Sequence, residues 1–134
     1  MKNILFTLLF FLSINIMAQN NKMMIRISEI EIDSIYLQEY INILQVESKA
    51  SIQKEPGVIA IFPMYQKESP TQIRILEIYA NHAAYEDHIK SPHFQEYKSG
   101  TLKMVKSLKL IDMNSIDPAT MAELFRKLNQ WLKL

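Results

Sequence analysis

The spacing of the apolar residues changes several times along this chain, and the order of these changes restricts its fold more than any other feature. Met23 to Ile32 alternates between two faces, as a β-strand does. Ile35 to Gln53 instead carries apolar residues at helical spacing, after an Asp33-Ser34 pair suited to an N-cap. The helix must end at Glu55-Pro56-Gly57, because the residue before a proline avoids helical backbone and glycine permits a tight reversal.

The next two strands are predicted to form a hairpin. Val58 to Lys67 reads as a strand in which Pro63 lacks an amide hydrogen, so an edge position or a bulge is expected there. A turn is predicted at Glu68 to Thr71, followed by a third strand from Gln72 to Ala80. Period-two spacing places four residues on one face of the third strand: Ile73, Ile75, Glu77 and Tyr79.

Two short helices and a last strand complete the pattern. Asn81 is a suitable N-cap for the first helix, and Pro92 lies near the start of the second, which runs toward Met104. Leu108 to Met113 reads as the last strand. The order strand, helix, strand, strand, helix, strand predicts an α+β, ferredoxin-like βαββαβ fold with an antiparallel sheet. Helices then cover one face of the sheet only, and we expect a homodimer to cover the other.

The two ends of the chain differ from this central domain, which is predicted to span residues 19–117. Residues 1–18 combine a basic Lys2 with an apolar run and a small residue, Ala18, before Gln19, which is typical of a signal peptide. An uncleaved anchor is the alternative. We therefore expect an exported protein, periplasmic or secreted, with no stable membrane span after cleavage.

A C-terminal amphipathic helix is predicted over residues 118–134. Its apolar residues recur at helical spacing: Met121, Leu124, Phe125, Leu128 and Leu132. We expect this helix to dock on its own domain or on a dimer mate. The alternative is that Trp131 and the basic residues bind a membrane surface.

Composition excludes several classes of function. The chain has no cysteine, which excludes disulfides, a thiolate nucleophile and cysteine-based metal centres. Its 15 basic and 14 acidic residues become equal in number once Lys2 is removed with the leader, so no electrostatic footprint for nucleic acid remains. Two glycines are too few for a phosphate-binding loop.

Titratable and aromatic side chains are interleaved between Glu77 and Phe94, where a strand passes into two short helices. Such a mixture at a junction of elements is what a small-molecule site requires. His88 is suited to accept or share a substrate proton, and Glu77 lies on a mostly apolar strand face where a carboxylate needs a partner. Two structural alternatives stay open: His88 caps the end of its helix, and Glu77 pairs with Arg26.

The same stretch resembles the antibiotic biosynthesis monooxygenase (ABM) family. The resemblance lies in Glu77-Ile78-Tyr79 at a strand end, a short helix ending in His88, and Ser91-Pro92-His93-Phe94. Glu55-Pro56-Gly57 after the first helix is a further family feature, and the resemblance extends over about residues 23–113. It implies a small dimeric α+β barrel, and some members of the family are cofactor-free quinol oxygenases.

The resemblance therefore implies a cofactor-independent monooxygenase that acts with O₂ on a quinol-like or other small aromatic substrate. Its implied catalytic residues are His88 and Glu77. Its implied substrate-binding residues are Tyr79, His93, Phe94, Tyr97 and Glu47. The alternative is a non-catalytic dimeric module of the cell envelope that binds a small ligand. A cavity bordered by both His88 and Glu77 favours the enzyme, and a cavity filled by side chains favours the module.

No cofactor and no metal are expected. The three histidines are spaced by six and five residues, not by the four that place two ligands on one helix face, and no H-E-x-x-H motif is present. Haem is also not expected, because Lys98 stands where we align the haem-binding histidine of the haem-degrading branch.

Overall fold

A computed structural model of the chain describes residues 22–132. The predicted signal peptide, residues 1–18, lies outside the described residues. Four antiparallel strands form one sheet in the order β2-β3-β1-β4, and the expected α+β, ferredoxin-like fold is confirmed. The strands are β1 (Met24–Ile32), β2 (Val58–Gln66), β3 (Ser69–Tyr79) and β4 (Val105–Met113). The helices are α1 (Leu37–Lys54), α2 (His82–Lys90), α3 (Pro92–Thr101) and α4 (Thr120–Leu132).

The core lies between one face of the sheet and the helices. β1 is a central strand, and its register pairs Ser28 with Ile75 and Ile30 with Ile73 of β3. These residues share the helix-facing side of the sheet, where α1 contributes buried Tyr40. The remaining members of the core cluster are Ile32, Leu44, Val58, Ile61, Tyr79 and Met104.

Polar side chains begin the helices where the sequence predicts them. The Asp33 carboxylate accepts a hydrogen bond from the backbone N–H of Ile35 at 3.1 Å, in a short 3₁₀ turn that precedes α1. Asn81 accepts from the N–H of Ala84 at 2.9 Å and so caps α2. Ser91 caps α3, with Pro92 in the first turn. Each cap satisfies a backbone donor that has no partner inside its helix.

The hairpin and the last strand differ from the prediction. The predicted four-residue turn is wrong: only Lys67 and Glu68 form it, and Ser69 to Thr71 already belong to β3. Pro70 is tolerated there because β1 pairs with β3 only from Gln72 onward, so no neighbour on that side needs an amide hydrogen from residue 70. β4 begins three residues earlier than predicted, at Val105, after α3 ends in a 3₁₀ turn. Pro63 lies on an edge strand, as expected.

The face of the sheet away from the helices is open and partly apolar, with the Glu29–Arg74 ion pair on the same face. Phe62 of β2 is 59% exposed on this face, and Met64 and Met113 are exposed on it as well. The register places Ile27 of β1 and Leu76 of β3 opposite one another between them. An apolar surface of this extent on a small domain indicates a binding surface.

The C-terminal helix, α4, forms as predicted but has no buried residue. Its apolar side chains are exposed, most of all Trp131 at 81%. Docking of α4 on its own domain is therefore not what the structure shows. None of the helices within residues 22–132 is both long and apolar enough to cross a membrane.

Candidate active site

A cavity of about 320 Å³ lies between the sheet and the helices. Its lining is largely apolar, with a limited set of polar groups at the sheet floor and the helix wall, which is the usual composition of a small-molecule site. The floor includes Arg26, Ser28, Glu77 and Tyr79. The wall includes Glu47 of α1, Tyr85 and His88 of α2, and Phe94, Tyr97 and Lys98 of α3.

Six of the seven residues proposed from the sequence line this one cavity. They are Glu47, Glu77, Tyr79, His88, Phe94 and Tyr97. The seventh, His93, is not among the lining residues. Its Nε2 instead lies 2.5 Å from Oε1 of Glu55. His93 therefore connects the start of α3 to the end of α1, behind the cavity wall.

His88 is held by a carboxylate and borders the cavity. Its side chain is almost fully buried, and Nδ1 lies 3.0 Å from Oε1 of Glu55. An ionised carboxylate can only accept, so Nδ1 is the protonated nitrogen and Nε2 carries the lone pair in neutral imidazole. Among residues 22–132, Nε2 has no hydrogen-bond partner, and it lies 3.8 Å from Oε1 of Glu47. Every fully buried polar side-chain atom within residues 22–132 has a hydrogen-bond partner. Because Nε2 has none, it is not fully buried, and it must border the cavity that His88 lines.

The contacts of the His88 side chain differ from those expected of a helix cap. The carbonyl of His88 accepts from the N–H of Ser91 at the end of α2, but the imidazole points elsewhere. The ring packs against Tyr79 and Phe94, with centroids 5.4 and 4.9 Å away. The ring is therefore fixed by aromatic contacts and by a carboxylate at the edge of the cavity.

Glu77 is held by hydroxyl groups and not by arginine. Ser28 Oγ donates to one carboxylate oxygen, and the Tyr79 hydroxyl donates to the other at 2.8 Å. Arg26, its cross-strand neighbour, instead donates from Nε to Asp112 at 2.7 Å and lies over the Tyr85 ring. The suggested Arg26–Glu77 pair is therefore wrong. Hydrogen bonding from Arg26 also lowers the pKa of the Asp112 carboxyl.

Burial raises the pKa of two further groups at the cavity. Glu47 is 5% exposed, and this desolvation raises the pKa of its carboxyl, although the Ser51 hydroxyl donates to Oε1 at 2.6 Å and opposes the rise. Burial also raises the pKa of Tyr97 to about 12. The Tyr97 hydroxyl shares a hydrogen bond of 2.7 Å with that of Tyr40 and stays protonated at neutral pH.

Sequence reasoning missed Glu55, which contacts both His88 and His93. It was assigned only to the end of α1, and no local pattern reveals contacts with residues 33 and 38 positions away. Ser28 was detectable, since alternation along β1 places it beside Arg26 on the buried face. The histidine spacing likewise did not anticipate that Glu47, His88 and His93 each bring one ligand atom within 4.8 Å of the others.

The family of the chain follows from sequence comparison. The sequence profile of the antibiotic biosynthesis monooxygenases matches residues 23–99, more than half of the chain. The chain belongs to this family. No sequence among curated proteins matches it.

Solved structures show the same fold. A protein from Bacteroides thetaiotaomicron, provisionally described as an antibiotic biosynthesis monooxygenase, is 46% identical with a TM-score of 0.72, and the match covers 72% of this chain and 92% of that one. A provisionally described monooxygenase from Lactobacillus acidophilus is 26% identical with a TM-score of 0.68, over 72% of this chain and 46% of that one. A provisionally described antibiotic biosynthesis monooxygenase from Nitrosomonas europaea is 15% identical with a TM-score of 0.68, over 73% and 94% of the two chains, and shows the fold alone.

Proposed function

We propose that this protein is a cofactor-independent monooxygenase that oxidises a quinol-like or other small aromatic substrate with O₂. The observation that carries the proposal is the cavity of about 320 Å³ bordered by both His88 and Glu77. Membership of the monooxygenase family supports the class of reaction. An open cavity does not favour the alternative of a non-catalytic module, for which side chains were expected to fill the space.

The proposed reaction takes all its electrons from the substrate. A hydroquinone first loses a phenolic proton, and its anion passes one electron to O₂ to give superoxide and a semiquinone. Recombination of these radicals forms a carbon–oxygen bond, and the peroxide anion takes back the proton removed in the first step to give a hydroperoxide. Its O–O bond then breaks with loss of water, so one hydroquinone and one O₂ give one hydroxyquinone and one water.

The side chains have distinct roles in this scheme. His88 Nε2 accepts the phenolic proton, and Glu55 positions the imidazole and stabilises the cation that forms. Glu77, with Ser28 and Tyr79 donating to it, accepts a hydrogen bond from the second substrate hydroxyl. The aromatic rings of Phe94 and Tyr85 border the space that the substrate ring fills.

Oxygen uptake with a panel of hydroquinones tests the proposal. We expect consumption of O₂ and release of a hydroxyquinone by the native protein, and none in anaerobic controls. His88→Ala should lower turnover by about 10²–10⁴-fold, because the positioned base is removed. His82→Ala is the matched control, since His82 is an exposed histidine of the same helix and does not line the cavity.

Two results would contradict the proposal. One is the absence of O₂ uptake with every hydroquinone, at concentrations at which binding of the hydroquinone to the protein is detected. The other is a His88→Ala variant with a lower melting temperature and unchanged turnover, which would give His88 a purely structural role.

We further propose that the protein is a homodimer that pairs its open sheet faces. The exposed apolar residues of that face, Phe62, Met64 and Met113, support the proposal. Such a dimer leaves both cavities on the helix sides of the sheets, where substrate enters each protomer independently.

A further inference from the structure

Four side chains form a carboxylate–histidine cluster at the cavity wall and just behind it, and the proposed oxygenation does not use all of them. Glu47 lies in α1, and Glu55 is the residue that follows this helix. His88 lies in the last turn of α2, and His93 in the first turn of α3. Glu55 Oε1 lies 3.0 Å from His88 Nδ1 and 2.5 Å from His93 Nε2, and His88 Nε2 lies 3.8 Å from Glu47 Oε1. The cluster thus joins three helices at one point.

The spacing within the cluster is close to that of a metal site. Glu47, His88 and His93 each offer one ligand atom, and all three atoms lie within 4.8 Å of one another. Ligand bonds of about 2.0–2.2 Å place neighbouring ligands of a tetrahedral ion about 3.4 Å apart. The 3.8 Å between Glu47 and His88 is near this value, and the other two separations are no more than 4.8 Å, so closing the site requires only side-chain movement.

The charges of the cluster favour a divalent cation. The Glu47 and Glu55 side chains are 5% and 15% exposed, and among the described residues their ion-pair partners are these two histidines alone. If both imidazoles are neutral and both carboxyls are ionised, the cluster carries two buried negative charges, which is unfavourable unless they are compensated. Two protons or one divalent ion would neutralise it.

The surrounding hydrogen bonds also suit a metal. Ser51 Oγ donates to Glu47 and fixes its carboxylate on α1. The Nδ1–H of His88 faces Glu55, which leaves Nε2 as the nitrogen nearer Glu47. A histidine that binds metal through one nitrogen usually donates its other N–H to a carboxylate, as here.

We propose that Glu47, His88 and His93 bind one divalent first-row transition ion, with Glu55 orienting His88. Two imidazole nitrogens and one carboxylate suit Zn²⁺ or Fe²⁺, whereas Ca²⁺ and Mg²⁺ prefer oxygen ligands alone. Binding displaces a proton from the histidine–carboxylate contacts. An ion on His88 Nε2 occupies the lone pair used in the proposed oxygenation, so ion binding should inhibit that reaction. This last consequence rests on the proposed function, but the site itself does not.

The three histidines of the sequence allow a direct test by NMR. The full chain, stripped with a chelator and freed of it, is titrated with Zn²⁺ while the Cε1–H signals of His82, His88 and His93 are followed. We expect the signals of His88 and His93 to change together and to saturate at one equivalent, while the exposed His82 signal is unaffected. Movement of His82 alone, movement of only one of the other two, or no change would overturn the proposal.

Calorimetric titration with Zn²⁺ supplies an independent measurement. His93→Gln should weaken binding by more than about tenfold, because a ligand is lost and even outer partners of metal sites contribute that much. His82→Gln should bind as the native protein does. The far-ultraviolet dichroism of each variant verifies the fold, and equal affinity of a folded His93→Gln variant for Zn²⁺ would exclude the site.

Discussion

Glu77 shows how a carboxylate is accommodated on an apolar strand face. It accepts from Ser28 and Tyr79, and both donors lie on the sheet floor. Glu77→Gln preserves the volume, but its amide nitrogen cannot accept, so one hydroxyl loses its partner. We expect a loss of about 1–3 kcal/mol in the free energy of unfolding, measured with urea.

Glu29→Gln is the control for this substitution. Glu29 lies on the opposite face of the sheet, 3.6 Å from Arg74 in a partly exposed ion pair. Its replacement should cost less than about 1 kcal/mol. If both variants lose the same free energy of unfolding, the hydroxyl contacts of Glu77 stabilise the fold no more than a partly exposed ion pair does.

The buried Glu47 carboxyl should make stability depend on pH. Its pKa lies above the ordinary 4.5 because of burial, opposed by the Ser51 hydrogen bond and by His88 and His93, while Glu55 adds to the rise. The folded state therefore retains this proton when the unfolded state has released it, and stability falls as pH rises above 4.5. Glu47→Gln abolishes this loss while keeping an acceptor for Ser51.

Thermal unfolding, measured with a metal chelator present, checks the direction of this dependence of stability on pH. The melting temperature of Glu47→Gln, relative to the native protein, should rise as pH increases above 4.5 and should level off once pH exceeds the raised pKa of Glu47. Glu96→Gln, an exposed substitution on α3, should show no such trend. If the difference in melting temperature between Glu47→Gln and the native protein stays constant or falls as pH rises, the pKa of Glu47 is not raised in the folded state.

The tight loop after α1 fixes the position of α2. A Cβ atom at Gly57 would lie 2.5 Å from the Cβ of Ala84, closer than packed atoms approach. Gly57→Ala should therefore displace α2, and with it His88, at a cost of about 1–3 kcal/mol. Turnover should fall together with the melting temperature.

Gly100→Ala is the matched control for this loop. Nothing lies within 4 Å of a Cβ at Gly100, and alanine favours the helical backbone of α3 by about 1 kcal/mol. This variant should be more stable than the native protein. Adding Ala84→Gly to Gly57→Ala should restore turnover, and failure to do so would show that the clash is not the cause.

Local patterns predicted the elements and much of the floor of the site. Alternation along β3 placed Glu77 and Tyr79 together, and Asn81 correctly began α2, because these are effects of near neighbours. Contacts between distant elements were not predictable in this way. Glu55 meets His88 and His93 only after α1, α2 and α3 have packed, and the partner of Arg26 depends on the register of β4.

The proposed dimer makes a prediction about the whole molecule. Phe62→Lys places a charge on the open sheet face and should give monomers in sedimentation equilibrium at micromolar concentration, because burying an unpaired ammonium is unfavourable. Val46→Lys changes an apolar residue on α1 that is even more exposed, at 72%, and should leave the dimer intact. Monomeric native protein, or a dimeric Phe62→Lys variant, would exclude pairing through this face.

The two free edges of the sheet also limit how copies of this chain can aggregate. β2 contains Pro63, which interrupts the row of amide hydrogens that an incoming strand would need. β4 carries Lys106 and Lys109, and charged residues on an edge disfavour strand addition. Continuous strand-by-strand growth into fibrils is therefore hindered at both ends. The proposed pairing through the open sheet face would instead close on itself after two copies, so an exposed apolar surface need not lead to polymerisation.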